Sequence, residues 1–113
     1  MTDKELLGLA AKAAGFTVRD DVYHNDSSLF VGKGDGDLQL WNPLIDDGDA
    51  LRLAVKLKID ILFDFDRIIA CYGDGEREYE TEYLYDKPVI PDHDAVTRRA
   101  IVRAAAEVGK AMK

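Results

Sequence analysis

The chain is short of the residues that most often announce a function. Its 113 residues include one cysteine, two histidines, one tryptophan and three prolines. A single thiol, Cys71, cannot close an intrachain disulfide, which predicts a reducing cytoplasmic setting. Cys71 also falls in an apolar segment, where a small core residue is expected rather than a nucleophile. His24 in a loop and His93 beside a helix start form no catalytic pair by spacing. The motifs G-x-S-x-G, Cys-x-x-Cys and H-E-x-x-H are all missing. No apolar run approaches the roughly 18–20 residues of a membrane span. The opening "MTDKELLGLA" lacks the basic start and apolar stretch of a secretory leader, so none is expected. Basic charge is also in deficit, with 15 Lys and Arg against 22 Asp and Glu and a net charge of −7. That balance argues against direct binding to nucleic acid or to an anionic membrane.

What is present describes a globular domain. Hydrophobic residues make up 47% and charged residues 33%, and a chain of this length buries roughly 65% of its unfolded surface. No repeat, linker or low-complexity segment divides it, so residues 1–113 are expected to form one domain.

The first helix is signed by Thr2 and Glu5, the spacing of a capping box, with Leu6, Leu9, Ala10 and Ala13 at helical period and Gly15 as its stop. "FTVRDDVY", "SLFVG" and "LQLW" each predict a short strand, with Asp35-Gly36 as a tight turn before the last. The stretch "WNPLIDDGDALRLAVKL" raises a choice between ligand loop and helix cap. Asp46 precedes the periodic residues Ala50, Leu53, Ala54 and Leu57, and Asp49 follows three positions later, which suits an N-cap with acid in the first turn. The glutamate of a calcium loop and the Lys-Ser/Thr of a phosphate loop are both absent, so the cap is preferred.

Strict alternation begins at Ile59. Ile59, Ile61, Phe63 and Phe65 interleave with Asp60, Leu62, Asp64 and Asp66, "IIACY" returns, and "EREYETEYL" follows Asp74-Gly75 as a third strand of an antiparallel meander. After Pro88 and Pro91, Asp92 or Asp94 caps a last helix carrying Val96, Ala100, Ile101, Ala104, Val108 and Met112, with Arg99, Arg103 and Lys110 placed on its outer side. Three amphipathic helices and a mostly antiparallel sheet predict an α/β (α+β) fold, a three-layer α/β/α sandwich with helices on both sheet faces.

Three of these segments, "MTDKELLGLAAKAAG", "WNPLIDDGDALRLAVKL" and "RRAIVRAAAEVGKAM", resemble the small phage and prophage proteins with the phage ABA sandwich domain. The resemblance covers a little under half the chain. It implies a helix–sheet–helix sandwich in a tailed-phage or prophage protein, and it implies no activity or site residue.

Two surfaces stand out as candidates. In the third strand Glu76, Glu78, Glu80 and Glu82 share one face, while Tyr79, Thr81 and Tyr83 share the other, with Tyr85 just beyond. The acids read as a solvated face, a docking face for a basic partner, or, together with Asp60, Asp64 and Asp66, oxygen ligands for a divalent cation. Tyr72, Tyr79, Tyr83 and Tyr85 read as packed strand residues or as an interface. The preferred functional expectation is a non-enzymatic accessory protein without a cofactor or metal, binding a host or defence protein with a basic surface. A nucleotide-like small-ligand binder and a metal-dependent enzyme using the strand carboxylates are the alternatives, and a homo-oligomer is compatible with either. The caps give a first testable consequence: Thr2→Ala and Asp46→Ala are each expected to lower stability by about 0.5–2 kcal/mol in chemical denaturation.

Overall fold

Helix α1 (Asp3–Ala14) starts and stops where its sequence signs it. The Thr2 hydroxyl accepts the Glu5 backbone N–H at 3.1 Å, and Gly15 turns left-handed at φ 80° so that its N–H reaches the carbonyls of Ala11 and Lys12. The computed structural model describes residues 1–19, 28–34, 36–73, 75–85 and 90–112. The loop with His24, the turn residues Asp35 and Asp74, and Pro88 lie outside the described residues. Gly36 and Gly75, which follow the two turn aspartates, have φ of 89° and 74°, the left-handed backbone expected of tight turns.

Strands β1 (Thr17–Arg19), β2 (Leu29–Gly32) and β3 (Leu38–Trp41) pair antiparallel in that order, with Val18 opposite Val31 and Phe30 opposite Leu40. Helix α2 (Asp47–Leu57) follows, ending at Lys58 in left-handed conformation. Strands β4 (Asp60–Phe63), β5 (Arg67–Tyr72) and β6 (Glu78–Tyr83) form the expected meander as a second, separate sheet. Helix α3 (His93–Ala111) closes the described chain, and Asp92 is its cap, accepting the Ala95 N–H at 3.1 Å.

Three helices and two three-stranded antiparallel sheets make an α+β fold consistent with an α/β sandwich. Helix α3 is its centre. It lies on β5 and β6, against the side of α1 and against α2, while α1 also reaches β1 and β2. The core therefore runs from Val31 and Trp41 in the first sheet, through Leu7, Ala10, Ala11 and Ala14 of α1 and Ala100, Val102, Ala104 and Ala105 of α3, to Ile68 and Ala70 of the second sheet. Among the described residues, the second sheet has helical cover on one face only, the face of Ile68, Ala70 and Tyr72. Among the described residues, no helix is long and apolar enough to cross a membrane.

The α1–α3 crossing is set by small residues. A Cβ built on Gly109 would overlap the backbone carbonyl of Leu9, so no side chain larger than hydrogen fits there without moving the helices apart. Gly8 has nothing near its missing Cβ. Two alanine substitutions should thus have opposite signs: Gly109→Ala is expected to lose about 1–3 kcal/mol by overpacking, and Gly8→Ala to gain about 0.5–1 kcal/mol from helix propensity. Urea unfolding of both variants checks the pair.

Candidate functional site

The aspartate-rich stretch is built as a helix entry. Asp46 Oδ2 accepts the Asp49 N–H at 2.8 Å. Asp49 is itself buried: its Oδ2 accepts the Asn42 N–H at 3.0 Å and its Oδ1 the Arg52 guanidinium at 2.9 Å. The Asn42 side chain holds the loop, donating to the Ser28 hydroxyl at 3.2 Å and accepting the Leu44 N–H at 3.0 Å. Arg98 of α3 donates to the Leu44 carbonyl and pairs with Asp47. The Asn42 amide and backbone N–H thereby serve the junction of β3, α2 and α3. The cap assigned to Asp46 agrees with this geometry. The buried bridge made by Asp49 went beyond it, because its backbone partner lies seven residues upstream.

The strand acids divide between two faces. Register places Glu82 opposite Ile68, Glu80 opposite Ala70 and Glu78 opposite Tyr72, so all three occupy the face that α3 covers. Asp60 is opposite Cys71 on the other face, and β5 separates β4 from β6. Asp64 and Asp66 lie in the β4–β5 turn, where Asp64 accepts the Phe65 N–H and Asp66 pairs with Arg67 at 2.8 Å. Glu76 precedes β6 and is exposed. Among the described residues, no group of three or more His, Cys, Asp or Glu side chains is placed to hold a metal ion. The convergence of Asp60, Asp64 and Asp66 with the β6 glutamates does not occur.

The reading of Glu80 and Glu82 as a solvated face, and of Arg99 and Arg103 as outer residues, is corrected by the helix between them. Arg103 binds Glu80 at 3.0 Å and Glu82 at 3.1 Å, and also donates to the Thr81 carbonyl at 3.2 Å. Arg99 bridges Glu82 at 3.5 Å and Asp3 of α1 at 3.1 Å. The Glu80 and Glu82 side chains are only 18% and 21% exposed, so their bridges are interlayer contacts, whereas the Arg99–Asp3 pair lies at the surface. A helix packed against a sheet and two other helices has little outer side left, and its arginines must meet partners inside. Burial raises the Glu80 carboxyl above its ordinary 4.5, with Arg103 opposing and Glu107, Glu82 and Glu78 adding to the rise. Burial also pushes the Tyr72 phenol up to about 12, reinforced by its hydrogen bond to Glu78 at 3.2 Å.

Among the described residues, nothing covers the opposite face of the same sheet. Its rows run Leu62–Ile69–Thr81 and Asp60–Cys71–Tyr79, with Arg67 beside Tyr83. Tyr79 is 66% and Tyr83 51% exposed, and Leu62 is exposed with them. Cys71 is a free, half-buried thiol on this face rather than a core residue. Arg67 stacks over the Tyr83 ring at 5.3 Å, and Arg77 spans from Asp60 to the Cys71 carbonyl. Tyr85 lies beyond the strand against Phe65, with ring centres 6.1 Å apart. The candidate set is therefore split, with Glu80 and Glu82 inside, Glu78 on their face but exposed, Tyr79 and Tyr83 on the other face, and Glu76 and Tyr85 at opposite ends of β6. His93 is an exposed first residue of α3.

Compared with protein-family models, with curated proteins and with solved structures, the chain matches none.

The interlayer cluster makes a pH-dependent prediction. Arg103→Met leaves two part-buried carboxylates without their main donor, an expected loss of about 1–3 kcal/mol at neutral pH. The Glu80 carboxyl then rises further. A group raised in the folded state contributes stability that is present below its unfolded value and lost as pH rises through the folded one. The deficit against the parent protein should shrink between about pH 7.5 and pH 5, as read by denaturation at both.

Proposed function

We propose that this chain is a non-enzymatic binding protein whose working surface is the uncovered face of the β4–β5–β6 sheet. The observation that carries the reading is the outward placement of Tyr79 and Tyr83 on a sheet already packed on its other side, with Leu62 exposed on the same face two strands away. Tyrosines in such a position have an apolar body to bury and a hydroxyl to pair, the combination enriched at protein interfaces. A tyrosine row also gives contact area with few rotors to freeze.

The partner we propose is a protein with a basic surface. The chain's net charge of −7 supports it, as do the exposed acids Asp64 and Glu76 around the same sheet. The strand glutamates Glu80 and Glu82 are not part of this support, since Arg99 and Arg103 already neutralise them. The resemblance to phage ABA sandwich proteins supplies the setting: an accessory protein of a phage or prophage, acting in the bacterial cytoplasm on a host or defence component. No step of this function needs a cofactor.

The test is a capture experiment followed by kinetics on the captured protein. Tyr79→Ser with Tyr83→Ser is expected to weaken binding at least about tenfold, since interface tyrosines commonly contribute about 2 kcal/mol. The melting temperature should change little, because neither ring is in the core. Association should also slow as ionic strength rises past the point where charges about 8 Å apart are screened. Unchanged affinity in the double variant would remove this face from consideration.

A further inference from the structure

Where the end of α1 meets β2 and α2, the described residues line a partly open cavity of about 260 Å³. Its aromatic wall is Phe16 against Trp41, edge to face with ring centres 5.6 Å apart at 88°. Its polar wall is cationic, formed by Lys33, Arg52 and Lys56. On a chain of net charge −7 this is a local reversal of sign.

The single lining carboxylate does not cancel it. Asp49 is held by the Asn42 N–H and by Arg52. Among the described residues, no carboxylate pairs with Lys33 or Lys56. Both instead lie over the one Phe16 ring, with Nζ 5.2 Å and 4.9 Å from its centre. Two like charges drawn from β2's end and from α2 onto one ring repel each other. The ring's quadrupole offsets that less strongly than charge-assisted hydrogen bonds to an anion would. An anion within reach of both ammonium groups relieves the repulsion, and Arg52 at the rim, paired with Asp49 and 3.9 Å from Asp46, offers only its remaining N–H groups. Small-molecule sites share this composition, an apolar wall with a few convergent polar groups, and commonly span about 300–1,000 Å³. A cavity slightly below that range admits one ring system and one anionic group.

We propose that this cavity binds a small phosphorylated ligand with a planar ring, of mononucleotide size. Its phosphate meets Lys33, Lys56 and Arg52, and its ring packs against Phe16 and Trp41. The site is separate from the tyrosine face of the second sheet and stands whether or not that face binds a protein.

Trp41 is the chain's only tryptophan, so intrinsic fluorescence reads the cavity directly. The probes are adenosine monophosphate, adenosine and inorganic phosphate, titrated separately into the full chain. The expected result is a saturable change with adenosine monophosphate, with each half-ligand weaker. Lys33→Gln with Lys56→Gln should then weaken the nucleotide at least about tenfold, as loss of charge-assisted contacts does. Calorimetry on the same samples gives an affinity that does not depend on the fluorophore, and circular dichroism confirms that the variant folds. No saturable response to the nucleotide up to about 1 mM, the limit of weak specific affinity, would overturn the proposal. So would a nucleotide affinity that the folded double-lysine variant leaves unchanged.

Discussion

The close crossing of α1 and α3 is the constraint on which the rest of the molecule depends. Gly109 lies against the Leu9 carbonyl, and Ala10, Ala11, Ala104 and Ala105 are wholly buried around the crossing. Small side chains at these positions let two backbones approach more closely than leucine-lined helices do. Because α3 rests on the second sheet and α1 reaches the first, that separation sets how far apart the sheets stand. Burial within the helices follows from the same contact. Helix α3 buries seven of its residues, from Ala100 to Gly109, on more than one side, a wider surface than a single stripe provides.

A helix buried on several sides must also dispose of its charges, and this governs the chemistry of β6. Arg99 and Arg103 lie one turn apart on α3 and meet Glu80 and Glu82 across the layer boundary. Desolvating these ions is costly, so the cluster is weak grounds for stability but strong grounds for register, because a slip of β6 by one residue would leave both sides unpaired. The alternation of β6 sends tyrosines outward as the glutamates turn inward. The exposed tyrosine row is thus a direct consequence of where α3 keeps its arginines.

How far this was legible in the sequence depends on the range of the signal. Caps at Thr2, Asp46 and Asp92, the stop at Gly15 and the meander from Asp60 to Tyr83 rest on neighbours within a few residues, and each stands where the sequence places it. Period-two alternation separates the faces of β6 but carries no information on which face is inside. Four glutamates look like the wet side and tyrosines like the packed side, by average burial. The deciding contact, Glu80 with Arg103, spans 23 residues of sequence. The cationic cavity was illegible for the same reason. Phe16, Lys33 and Lys56 belong to α1's end, β2's end and α2, and no local spacing joins them.

The resulting distribution of charge is more specific than a net value of −7 conveys. The strand acids that contribute much of it are partly neutralised inside, between β6 and α3. Lys33 and Lys56, by contrast, have an aromatic ring rather than a carboxylate as their described neighbour. A distant ligand meets the sum of these charges, whereas a bound one meets only those within about a Debye length, about 8 Å at physiological salt. Long-range attraction therefore favours cationic partners over anionic ones, and an anion is favoured only once it has entered the Phe16–Trp41 cavity. The two proposed surfaces would thus be selective by opposite means, one by the field around the molecule and the other by contacts that operate at short range.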